Sequence, residues 1–177
     1  MTVIGLDLSL TATGVASTRR WTTVIKPAAT MRGHIRLQHI CDAVLDMLPA
    51  DIALVVVEGP SYGNQGRQSG HHERAGLWWM VTHSLWKRDV DYAVASPAAR
   101  AKYATGKGNA GKADVIREVT RRFDWFNGGE DEADALILAA MGGDWLGHSI
   151  VEMPQIHRKA LDAVRWPVAL DVSEVVV

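Results

Sequence analysis

The sequence has only one cysteine in 177 residues, Cys41, so no disulfide within the chain can brace it. No apolar run approaches the roughly 20 uninterrupted residues that a membrane-spanning helix needs, which sets the membrane aside. The opening MTVIGLDLSL lacks the basic flank and long apolar stretch of a secretory signal, and the expectation is an intracellular, cytoplasmic protein. Repeats and low-complexity tracts are missing, and phenylalanine and tyrosine are scarce, at 2 and 3 residues. Net charge is nearly absent as well, at −1. What remains is ordinary: 47% apolar and 22% charged residues, the balance of a globular chain of one domain rather than a disordered or collagenous one.

The small net charge hides an uneven distribution. Between Trp86 and Arg122 stand nine Lys/Arg against four acids, and from Phe123 onward three basic residues face ten acids. The middle is basic and the end acidic, which reads either as two solvated faces or as a place for nucleic acid that the small net charge conceals.

Periodicity divides the chain into elements. Residues 3–7 read as a strand, and TATGVAST followed by WTTVI as two more in an antiparallel meander. From Gly33 to Leu48 apolar residues recur at helical spacing and stop at Pro49. ALVVVEG, residues 53–59, has the continuous β-branched run of a strand buried on both faces. PSYGNQGRQSG is a loop, and a helix follows from His71 to about Lys87 with Leu77, Trp78, Val81 and Leu85 inward. DYAVASPAA supplies a short strand and a turn at Pro97, ATGKGNAGK a loop, Lys112 to Phe123 a helix, and EDEADALILAAMGGDWL a last long helix. This order predicts an α/β fold around a mixed sheet. The division is a domain at 1–148 and an extension at 149–177, with one short helix, QIHRKALDAVRW, stopped by Pro167.

Two of the most apolar strands end in an acid, Asp7 and Glu58, which is costly unless the carboxylate meets donors, cations or a metal. Asp131 and Asp134, three apart, share a helical face that continues into Leu138 and Met141. A helix dipole favours acids in a first turn, and an acid ending a strand is often a turn residue. Two buried strands and one helix face each supplying an acid point instead to one converging group, whose repulsion a hard divalent ion relieves through oxygen ligands.

VIGLDLSLTATG, VVVEGP, KYATGKGNAGK and DEADALILA, in this order and spacing over about residues 3–145, resemble the RuvC-like Holliday junction resolvases of bacterial or bacteriophage type. The resemblance implies an RNase H-like fold, a mixed five-stranded sheet flanked by helices. It implies a homodimeric, DNA-associated endonuclease that resolves branched DNA in recombination and repair by paired nicks. The catalytic and metal-binding residues it implies are Asp7, Glu58, Asp131 and Asp134, holding two Mg²⁺, with Mn²⁺ as an alternative.

Lys107 and Lys112 in the Gly-rich segment suit phosphate contacts, beside a helix N-terminus that favours phosphate. Lys112 matches a lysine that the family uses on the DNA backbone, and Lys102 or Arg100 matches the other, the register differing by a residue or two. Tyr62 lies one residue past the position of the family's base-stacking aromatic, here Ser61. Arg74 can approach a phosphate from the following helix or form a surface ion pair. Leu8 and Ser9 depart from the Pro and Gly that follow the first aspartate in the family. Trp78 and Trp79 read as core or dimer packing. Competing readings are a nuclease for forks, flaps or RNA/DNA hybrids, a non-catalytic DNA-binding protein, and an actin-like or sugar-kinase domain, for which the chain is about half the usual length.

Overall fold

β1 (Thr2–Asp7) sends Ile4 and Leu6 into one apolar layer and Val3 into another. β4 (Ile52–Glu58) does the same, with Val55 and Val57 in the first layer and Leu54 and Val56 in the second. A strand apolar on both faces has to be covered on both, so helices must lie above and below it. The computed structural model describes residues 1–59 and 70–167, and shows that arrangement.

β2 (Thr13–Ser17) and β3 (Trp21–Ile25) extend β1 as an antiparallel meander, while β4 and then β5 (Tyr92–Ala95) add on its other side in parallel. The sheet is five-stranded and mixed, in the order β3-β2-β1-β4-β5. α1 (Gly33–Asp46) and α2 (His71–Lys87) cover the first layer through Leu37, Ile40 and Val44 and through Leu77, Val81 and Leu85. α3 (Pro97–Thr105), α4 (Lys112–Arg122) and α5 (Glu130–Trp145) cover the second.

α5 is the central helix, buried from Ala133 through Asp144. Its backbone meets the sheet directly. A Cβ at Gly5 would lie 2.0 Å from the Ala135 carbonyl oxygen, and one at Gly14 would lie 2.0 Å from that of Asp131. Only glycine permits this approach at either position. At the start of α5 the Glu132 carboxylate accepts from the Gly129 N–H at 2.8 Å and from the Thr22 hydroxyl of β3 at 3.1 Å, fixing the helix to the far strand.

Two elements differ from the sequence expectation. Residues 97–105, expected as turn and loop, form α3. Ser96 caps it by accepting from the Ala99 N–H at 3.1 Å, Pro97 occupies the first turn, and Gly106, at φ 83°, ends it in the left-handed region. The expected helix at 155–166 is shorter: α6 (Gln155–Arg158) is followed by a 3-10 turn (Leu161–Ala163). Arg165 then pairs with Val94, N–H to carbonyl at 3.0 Å in both directions, which lines the outer edge of β5. Met153, Ala160 and Val164 belong to the second core layer, so the segment after 149 packs with the rest of the fold. Among the described residues no helix is long and apolar enough to cross a membrane.

Candidate active site

β1 and β4 pair in parallel, Leu6 opposite Val57, so Asp7 and Glu58, the next residue of each strand, leave the same end of the sheet. On the other side of β1, Asp7 pairs with Gly14, the position whose missing side chain lets the Asp131 backbone close down. That single close approach brings the first turn of α5 to the end of β1. The turn between β1 and β2 is held by Thr13, whose hydroxyl donates to the Ser9 carbonyl at 2.8 Å and accepts from the Ser9 N–H at 3.0 Å. Ser9 therefore shapes the loop beside Asp7. Leu8 packs against the first apolar layer.

Glu58 is held from behind. Its carbonyl accepts from the Trp78 indole of α2 at 3.1 Å, and the next residue, Gly59, donates its N–H to Ala95 at 2.8 Å. Trp78 is thus inward, as expected, whereas Trp79 is 65% exposed.

The four acids named from the sequence stand around two cations. Arg100, in the middle of α3, donates from Nε to Glu58 and from Nη1 to Asp134. It is only 8% exposed, and Asp134 only 2%. Lys112, the first residue of α4, places Nζ 3.7 Å from Asp131 and 3.8 Å from Glu130 and stays more than half exposed. Asp7 has its carboxyl pushed up to about 7, first by burial and next by the negative charge of Glu58, with Asp131 adding to it; Arg100 and Lys112 pull the other way without compensating. Among the described residues the cluster holds more carboxylates than cations.

Such a group is made only of hard oxygen donors, and a partly buried acid near neutrality marks the place where positive charge is short. The donor chemistry fits a divalent cation at Asp7, with Glu58 and Asp131 as its neighbours. Among the described residues no three ligands already converge as a finished cage, and one oxygen each of Glu58 and Asp134 is engaged by Arg100.

The DNA-facing residues suggested by the sequence fall into different places. Lys112 joins the acid cluster, so the Gly-rich loop runs to the rim of the site. Lys107 is exposed in that loop, its N–H bonded to the Thr105 hydroxyl at 3.1 Å. Lys102 is partly buried on α3, and Arg74 is exposed on the first turns of α2. Arg100, grouped by sequence with the lysines, is instead enclosed among the carboxylates and presents no open surface to a phosphate backbone. Tyr62 lies outside the described residues.

One arrangement the sequence reading missed lies at the other end of α5. Asp144 accepts from the Tyr103 hydroxyl and from Arg158 Nε, each at 3.0 Å, with Arg158 Nη2 on its second oxygen at 2.8 Å. Tyr103 is fully buried, and burial and the Asp144 charge hold its phenol far above the ordinary range. Tyr103 sits three residues after Arg100, so this bond anchors α3, the helix that carries Arg100, to α5.

No family model matches the sequence, and no curated protein matches it. Solved structures do. The Thermus thermophilus RuvC structure superposes with a TM-score of 0.66 at 19% identity, covering 87% of this chain and 100% of that one. T. thermophilus RuvC in complex with a Holliday junction substrate gives 0.65 at 20% identity, covering 87% and 99%. This protein has the RuvC-like, RNase H-type fold.

Proposed function

We propose that the protein is a metal-dependent endonuclease that cuts branched DNA, with the Holliday junction as substrate and paired nicks in opposed strands as outcome. The observation that carries this reading is the carboxylate surplus around Asp7, set at the end of β1 and β4 and bordered by Lys112. A surplus of acid repels phosphate, so a protein that only bound DNA gains nothing from it. Support from likeness comes from a protein of the same fold solved with a Holliday junction substrate.

In this reading Asp7, Glu58 and Asp131 hold a divalent ion, Mg²⁺ or Mn²⁺. When bound, such an ion supplies the Lewis acidity that lowers the pKa of a bound water and offsets charge on the phosphodiester. The chain's own groups do the rest. Lys112 and Lys107 engage the DNA backbone and set its position, and the positive end of the α4 dipole favours a phosphate. Arg74 on α2 and Tyr62, earlier in the sequence, extend the DNA contact. Resolution by paired nicks needs two sites, and a homodimer supplies them. The exposed face of α2 that carries Trp79 and Trp86, with His83 stacked on Trp86 at 5.5 Å, suits that pairing. A role on cytoplasmic DNA in recombination and repair follows from this substrate.

The test is cleavage of labelled four-way junction, flap, fork, duplex and RNA/DNA hybrid in parallel, with and without Mg²⁺. Symmetric, metal-dependent nicks in the four-way junction support the reading. Cutting of hybrids alone, or of forks and flaps without the junction, replaces the substrate while keeping the chemistry. Junction binding without any cutting overturns the enzyme.

A further inference from the structure

We infer that Arg100 is a built-in cation that fills one of the two cation places of the site, so that the chain binds one divalent ion where a resolvase of this fold is expected to bind two. The inference rests on the metal-dependent reading above and adds to it the number of ions.

Arg100 does not behave as a surface arginine. Both of its ion pairs are with acids that the two-ion reading needs as ligands, Glu58 and Asp134, and they draw together the end of β4 and the second turn of α5. A guanidinium keeps its proton under all conditions a protein meets, so this positive charge is permanent. Its place is also fixed from both ends of α3. On one side the Arg100 N–H donates to the Ser96 carbonyl at 3.0 Å inside the capped first turn. On the other, the buried Tyr103 hydroxyl ties the next turn to Asp144 at 3.0 Å. These bonds hold α3, and with it the base of the Arg100 side chain, beside Glu58 and Asp134.

A second ion, entering between Glu58 and Asp134, has to displace a guanidinium that already bonds each of them. Arg100 is therefore a positioning and charge-compensating residue: it holds Glu58 and Asp134 in place and reduces the demand for metal.

The experiment titrates Mn²⁺ into the full-length chain without DNA. It counts bound ions by calorimetry and reads electron paramagnetic resonance for coupling between them. The wild type is expected to bind one ion per chain with the signal of an isolated Mn²⁺. Arg100→Met, which keeps the length of the stem and removes the charge, is expected to bind two and show a coupled pair, while Arg100→Lys stays at one. Two coupled ions in the wild type, or no bound ion, overturns the inference even if Arg100→Met does not fold. So does a folded Arg100→Met that still binds one. One ion with no cutting of any DNA leaves the inference standing and removes the proposed function. Two ions with efficient junction cutting does the reverse.

Discussion

Two buried aspartates on α5 resemble each other locally and differ in everything around them. Asp144, near the end of the helix, meets one arginine and one phenol, and its charge is met in full. Asp134, near the start, also meets an arginine, but shares it with Glu58 and lies in a group that includes Asp7 and Asp131. Both are nearly inaccessible, at 6% and 2% exposure. Burial of an acid therefore does not distinguish structure from function in this fold. The surplus does: a balanced pair ties elements together, whereas unbalanced carboxylates raise the free energy of the metal-free fold and leave room for a cation.

The largest effect should come from the unbalanced end. Asp7→Asn is expected to lower the rate of four-way junction cutting by roughly 10³-fold, the scale on which loss of a charge-stabilising group acts in an active site. The metal-free variant should be at least as stable as wild type to urea, because one repelling charge is gone. A variant that cut at the wild-type rate and lost stability would place Asp7 with Asp144 and break the contrast.

Next in size is the response of the metal-free protein to pH. An ordinary aspartate loses its proton near 3.8, and Asp7 in the fold keeps its own up to about 7. Between those values the folded chain holds more protons than the unfolded one, so stability is greater at the acid side and falls as pH rises, levelling above about 7. The fall is on the order of 2–4 kcal/mol. Urea midpoints at pH 5, 6, 7 and 8 with a chelator present should show it, and Asp7→Asn should flatten it. A wild-type curve that stays level from pH 5 to 8 removes the surplus.

The balanced end gives the smallest effect and the sharpest control. Asp144→Asn leaves Arg158, itself nearly half exposed, to find water, and is expected to cost about 1–3 kcal/mol of stability. Cutting per folded molecule should not change. Loss of activity beyond the loss of folded protein would mean that the Tyr103 anchor controls Arg100 more tightly than the contrast allows.

Much of this was legible in the sequence because the signals were local or periodic. The β-branched run of β4, the helical spacing of α1 and α2, and the acids ending β1 and β4 need only neighbouring residues to be read. Asp131 and Asp134 needed only the helical repeat. Arg100 was not legible, because its partners lie 42 and 34 residues away and a basic residue in a basic stretch reads as facing DNA. α3 was overlooked for a different reason: its alanines give no periodicity, and the glycines after it suggested a loop. Ser96, Pro97 and Gly106 mark both of its ends, and those signals were present. The tail departs from a continuous helix, and Arg165 pairs instead with Val94 on the edge of β5, a partner 71 positions away that no local pattern announces.

The bare positions at Gly5 and Gly14 have a mechanical consequence. Where a helix rests on side chains, those side chains can readjust, and the helix can slide or tilt by small amounts. Here α5 rests on the main chain of β1 and β2, with no cushion between them. Asp131 and Asp134 therefore travel with the sheet as one rigid body, and any looseness of the site has to come from the loops that face it.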